Sequence, residues 1–214
     1  QGQAGKGTEV NMPFSKPPEP ERELGMEVYM TSSKGTGGRL KLLPEDFIVE
    51  EISRQLPKVE NGRYTIAKIR ATNWEMNRLV RQLSKNLGIG RGSIGFAGTK
   101  DKRAVTTQLM SFEAPLDAVR AMRVHQVEVL EAYRSSKHLT IGDLIGNRFD
   151  VKVRECTLKG DDLKEAILET EAELSANGGF PNFFGVQRFG SVRPITHLVG
   201  RSIVKGDLEE ASLE

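Results

Sequence analysis

The chain has 214 residues, 31 Lys and Arg against 29 Asp and Glu, a net charge of +2 and 37% hydrophobic content, which supports a sizeable core in one or two domains. Its single cysteine, Cys156, excludes an internal disulfide and a cysteine cluster for zinc or iron and sulfur, so a reducing, cytoplasmic setting is the simpler expectation. No stretch approaches the roughly 20 apolar residues of a membrane span, and no membrane partner is expected.

Residues 1–24 combine Gly, Pro and charge, and Pro13, Pro17, Pro18 and Pro20 remove backbone donors that helix or sheet would use; this segment reads as a flexible tail. After Pro44, Phe47, Val49 and Glu51 alternate with Ile48, Glu50 and Ile52, the period of a strand. The spacing predicts a helix over Thr72 to Leu87. Thr72 and Glu75 form its capping-box pattern, Met76, Val80, Leu83 and Leu87 its apolar stripe, and Gly88 its stop. Ser93 to Ala97 is β-like, and Phe149, Val151 and Val153 alternate as a second clear strand. A helix from Asp161 to Ala176 carries Leu163, Ile167, Thr170 and Leu174 on one face; a third starts near Pro194 and stops at Gly206, and Asp207 is placed to cap another. Strands mixed with separated helices give an α+β fold class.

The charges are unevenly spread. Arg78, Arg81, Lys85, Arg91, Lys100, Lys102 and Arg103 stand against one acid, Asp101, whereas the stretch from Asp161 to Glu173 holds six acids and Lys164 alone. That asymmetry fits either a polyanion-facing side or two solvated faces. Gly90, Gly92 and Gly95 satisfy GxGxxG, but a helix precedes them and a β-like run follows, the reverse of a dinucleotide site. Gly98, Thr99 and Lys100 lack the order of a phosphate loop, and His125, His138 and His197 lack metal-ligand spacing. Neither a cofactor nor a metal is expected.

Two segments carry chemistry. In the first, Asp101 lies between Lys100 and the basic Lys102 and Arg103, a positive local field that suits a carboxylate able to attack or to stabilise positive charge. The alternative is a glycine-rich turn with solvated charges at its tip. The second, Pro181 to Gly190, packs Phe183, Phe184 and Phe189 with Asn182, Gln187 and Arg188, the content of a loop that stacks bases and binds their edges; the alternative is a buried aromatic corner at Phe183 or Phe189.

In order and separation, Gly98 to Thr106 and Asn182 to Gly190 resemble two signature motifs of the TruD-type pseudouridine synthases. Gly37 to Phe47 and Gly142 to Phe149 are similar to two more, so the resemblance runs from about Gly25 to the end of the chain. It implies a pseudouridine synthase catalytic fold, a mixed and mainly antiparallel sheet with flanking helices. It makes Asp101 the catalytic aspartate, Lys41 its cationic partner, Lys100 an active-site support, and Asn182 and Phe184 the residues that hold the base. Arg78, Arg81, Lys85, Arg91, Lys102, Arg103 and Arg188 would then meet RNA. The implied partner is tRNA, at a uridine near its D arm (position 13 in the family), isomerised without cofactor, with Asp101 as nucleophile or base.

In the family the catalytic domain is interrupted by an insertion and completed by a C-terminal segment. Residues 25–205 therefore read as its N-terminal part and 206–214 as the start of the insertion. The chain is expected to be incomplete at the C-terminus, with an open cleft beside Asp101. A non-catalytic RNA-binding fragment using the same basic surface is the competing expectation.

Overall fold

The computed structural model describes residues 16–190 and 194–213. Two compact units divide the chain, one formed by residues 37–157 and the other by residues up to 36 together with 158–214. Residues 1–15 of the expected tail lie outside the described residues; further along, Glu19–Arg22 forms a helical turn, α1.

The unit of residues 37–157 is the α+β body expected from the sequence. Its six strands are β1 (Phe47–Ser53), β2 (Tyr64–Thr72), β3 (Ile94–Phe96), β4 (Val105–Phe112), β5 (Val127–Ser135) and β6 (Leu144–Val151). They form a sheet ordered β5, β2, β4, β1, β6, in which only the β1–β4 pairing is parallel and β3 joins β4 beside it. One edge of β4 is thus shared: β1 pairs with Val105 to Thr107, and β3 with Met110 to Phe112.

Helix α2 (Met76–Leu87) lies over β2 and β4. Met76, Leu79, Val80 and Leu83 are buried against Ala67, Ile69 and Ala71 of β2 and Met110 and Phe112 of β4. Short helix α3 (Leu116–Ala121) adds Val119 to that core. Fully buried side chains such as Leu83 and Phe112 each contribute a few kcal/mol, and truncating one leaves a cavity costing about 2–5 kcal/mol.

The helix begins later than its sequence pattern suggests. Thr72 is held in β2 by pairing with Val105, and its N–H donates to the Gln126 carbonyl. It is therefore unavailable as a cap. Glu75 caps instead, its carboxylate accepting from the N–H groups of Asn77 and Arg78 at 2.8 and 2.9 Å. Those two hydrogen bonds hold the Glu75 carboxyl below its ordinary range. The stop is as expected: Gly88 has φ 66°, the left-handed C-cap.

The glycine pattern at 90, 92 and 95 also finds its reason. A β-carbon at Gly95 would collide with the Leu139 carbonyl oxygen and Ser111 Oγ, so Gly95 is needed for close packing of backbone on strand. Strands β2, β4 and β5 are not among the elements singled out by periodicity, because Thr, Gln, Ser, Lys and Arg interrupt their apolar runs, and α3, at six residues, is too short to show a helical period.

In the other unit, α4 (Gly160–Ala176), α5 (Thr196–Lys205) and α6 (Leu208–Leu213) match the three helices expected, with α5 starting two residues after Pro194. Asp207 Oδ1 accepts from the Glu210 N–H at 2.9 Å, as a cap should. The apolar face expected on α4 is shallowly covered: of its residues Ile167 stays half exposed, and the buried residue of the helix is Ala166, beside that face. Ser32 meets Glu173 of this helix through both its N–H and its hydroxyl. Among the described residues no helix is long and apolar enough to cross a membrane.

Candidate active site

Strand directions decide where the chemistry gathers. β1 and β4 run parallel with Ile48 opposite Val105, and β2 ends where β4 begins, Thr72 opposite Val105. The segment before β1 (37–46) and the loop before β4 (97–104) therefore emerge at one end of the sheet, along with the start of α2. Lys41 and Asp101, 60 residues apart, meet there: Lys41 Nζ donates to Asp101 Oδ1 at 2.5 Å. Their side chains are 30% and 38% exposed. The second oxygen, Oδ2, has no hydrogen-bond partner among the described residues.

Lys41 is tightly held. Its φ of 55° lies in the left-handed region, which costs a side-chain-bearing residue on the order of 1 kcal/mol or more. Neighbours on both sides enforce it. Arg39 forms a two-way backbone bridge with Arg154, and buried Asp46 receives Arg154 Nε on both carboxylate oxygens and the Leu43 N–H on Oδ2. Lys41 Nζ also sits 3.9 Å from the centre of the Phe47 ring, which meets Phe149 edge-on at 5.9 Å, so the cation lies between a carboxylate and an aromatic face. Burial alone would raise the Asp46 carboxyl, but the hydrogen bonds from Arg154 and Leu43 outweigh it and hold the group below its ordinary range.

The loop bearing Asp101 is pinned at intervals. The Ala97 carbonyl accepts from Gly142 and the Ala104 carbonyl from Asn73. Arg103 donates to the Leu42 carbonyl at 2.5 Å. Lys100 turns inward, its Nζ 2.7 Å from Glu51 Oε2, with side-chain exposures of only 5% and 0%. Lys100 is thus withdrawn from water, whereas Arg103 binds the Leu42 carbonyl while staying exposed, as does Lys102.

Of the other basic residues expected to meet RNA, Arg78, Arg81 and Lys85 occupy one stripe of α2 opposite its buried side. These three, with Arg91 and Lys102, are exposed and pair with no carboxylate among the described residues. Arg91 lies beyond the C-terminus of α2, about 18 Å along the helix from the end that approaches Asp101. Charge neighbours in sequence are thus spread over two ends of the sheet.

Asn182, Phe184 and Arg188 belong to the other unit. Phe183 and Phe184 are 73% and 71% exposed, so neither is a buried aromatic corner; Phe189 is half buried, edge-on to His197. The Arg188 guanidinium lies 5.4 Å from the Phe184 ring centre. Among the described residues no group of three or more His, Cys, Asp or Glu could hold a metal. Sequence reasoning passed over Glu51, Phe47, Asp46 and Arg154. The legible signal for Glu51 was an acid at the core-facing phase of a strand, in step with Phe47 and Val49.

Comparison with known proteins bears on this arrangement. The family model of tRNA pseudouridine synthase D (TruD) matches residues 23–214. A "Probable tRNA pseudouridine synthase D" of Methanococcoides burtonii is 43% identical over 92% of this chain and 45% of its own length. One of Picrophilus torridus is 45% identical over 89% of this chain and 44% of its own. A crystal structure from Methanosarcina mazei, described as TruD, superposes with a TM-score of 0.77 at 42% identity, covering 92% of this chain and 45% of that one. The chain therefore spans a little under half the length of these relatives.

Proposed function

We propose that this chain, which belongs to the TruD family of tRNA pseudouridine synthases, carries the catalytic carboxylate of an enzyme that isomerises a uridine of tRNA to pseudouridine. The observation that carries the reading is Asp101 itself: one oxygen is fixed by Lys41, the other is unpartnered among the described residues, and the group is partly open to solvent at the end of the sheet. That is what a carboxylate needs in order to reach C1′ of a nucleotide.

The reaction breaks the N1–C1′ bond, turns the detached uracil and joins C5 to C1′. Atoms are conserved and no electrons are transferred. Asp101 acts toward the ribose as nucleophile or base, and Lys41 holds it in place by its hydrogen bond to Oδ1. Because C1′ is screened in a stacked helix, the target nucleotide is flipped out. Exposed Phe184 and Asn182 supply a stacking surface and an amide for the displaced base, and Arg188 adds a cation beside that ring. The stripe of Arg78, Arg81 and Lys85, with Arg91, Lys102 and Arg103, meets phosphates, which position RNA without reading its sequence. The uridine at position 13 is the target that family membership favours.

The test is pseudouridine formation on tRNA transcripts by the protein carrying this chain. Asp101→Asn is expected to lower turnover by at least about 10³-fold, as losing a reacting group does, with tRNA affinity within a few-fold. Turnover by the variant comparable to the parent overturns the assignment. Tight tRNA binding with no turnover by the parent favours an RNA-binding role.

A further inference from the structure

The shared edge of β4 creates a fork. β1 follows β4 as far as the pairing of Glu50 with Thr107 and then departs, whereas β3 begins only at Met110. Between them the Leu109 N–H has neither strand as partner. The Glu51 side chain fills this gap, its Oε1 accepting from the Leu109 N–H at 3.4 Å and from Ser53 Oγ at 2.7 Å, while Oε2 accepts from Lys100 Nζ at 2.7 Å. The carboxylate is fully buried and faces three donors. One of them comes from the loop, at the residue immediately before Asp101.

We propose that Glu51 is a positioning residue for Asp101: by holding Lys100 in the fork, it fixes the backbone that presents the Asp101 carboxylate to Lys41. The inference rests on the reading of Asp101 as the catalytic group. The geometry gives the reason for an ion pair at this place. Consecutive residues of the loop face opposite ways, Lys100 inward to Glu51 and Asp101 outward to Lys41, so fixing one side chain sets the direction of the next. An apolar contact could slide; a carboxylate bound to two strand donors and one loop donor holds a single register. The remaining anchors, at Ala97, Arg103 and Ala104, fix the ends of the loop and leave its apex to Lys100. Displacements of about 1 Å at a reacting group change rates by about a hundredfold.

The experiment compares Glu51→Gln, Lys100→Met and the double variant Glu51→Met/Lys100→Met in the protein carrying this chain. It reads kcat and KM per folded molecule, tRNA Kd, the thermal midpoint, and the backbone amide resonances of residues 98–103. Glu51→Gln is expected to lower kcat about ten- to a hundredfold, with KM and Kd within about twofold and the 98–103 resonances shifted or broadened. The double variant, free of an uncompensated buried charge, is expected to regain the thermal midpoint but not kcat. If Glu51→Gln does not fold, Lys100→Met reads the same contact from its other side. Unchanged kcat per folded molecule, or activity that returns with the midpoint in the double variant, leaves Glu51 a purely structural residue and overturns the proposal. If Asp101→Asn retains turnover, the catalytic reading fails instead. The amide resonances still show whether Glu51 holds the loop, and unmoved resonances refute that as well.

Discussion

Lys41–Asp101 and Lys100–Glu51 are two ammonium–carboxylate pairs of nearly equal length, 2.5 and 2.7 Å, and two of their members are consecutive in the chain. One pair stands about one-third exposed at the end of the sheet; the other is sealed inside it. The difference shows how environment allots roles to the same chemistry. A partly solvated pair is weakly coupled to stability, and its carboxylate keeps one oxygen without a hydrogen-bond partner among the described residues. A buried pair has exchanged all its solvation for protein contacts, so it serves geometry, and losing either partner strands a charge.

The largest stability contrast should come from truncating one member of each pair. Glu51→Ala is expected to cost about 3–5 kcal/mol of folding stability by leaving Lys100 buried and unpaired, while Lys41→Ala costs less than about 1 kcal/mol. Urea unfolding of the two variants measures both. Equal losses would erase the distinction between the pairs.

A smaller effect concerns the cationic face of α2, which pairs with no carboxylate among the described residues. Neutralising Arg78, Arg81 or Lys85 singly should weaken tRNA binding regardless of sequence and lower the slope of log affinity against log salt by about one unit each. Arg91, at the same end of α2 as Lys85, should act independently of Arg78 at the other end. Filter binding across salt concentrations measures the slope; a quadruple variant with unchanged affinity and slope would make these charges a solvated face.

The smallest effect is on acid stability. The Asp46 carboxyl is held low in the folded state by Arg154 and the Leu43 N–H, against the opposing pull of burial. An unfolded carboxyl titrates near about 3.9. The stabilisation is therefore fully present above about pH 4 and is lost as pH falls through the lower folded value. The parent should lose stability more steeply below about pH 4 than Asp46→Asn, measured by thermal midpoints across an acid series. Parallel profiles would show that Arg154 contributes no charge-dependent hold on the segment bearing Lys41.

Much of this was readable before folding was considered. The 3.6-residue spacing of Met76, Val80, Leu83 and Leu87 and the left-handed requirement met by Gly88 set the body and stop of α2, because helix periodicity and C-capping are local. The strand at Phe47 followed from alternation for the same reason. The start of α2 was not readable, since Thr72 was claimed by β4, a partner 33 residues away in the chain.

By itself the sequence determined the α+β class and the stripe and stop of its most regular helix, and its resemblance to a family pointed to Asp101 and Lys41 as a pair. Only the tertiary structure decided which oxygen of Asp101 is left without a partner among the described residues, that Lys100 acts from inside the sheet through Glu51, and that Arg91, with Lys85, stands at the end of α2 away from the Asp101 loop. The physical reason is that propensity and capping act over a few residues, whereas burial, strand register and the fork in β4 are set by segments that meet only when the chain is folded.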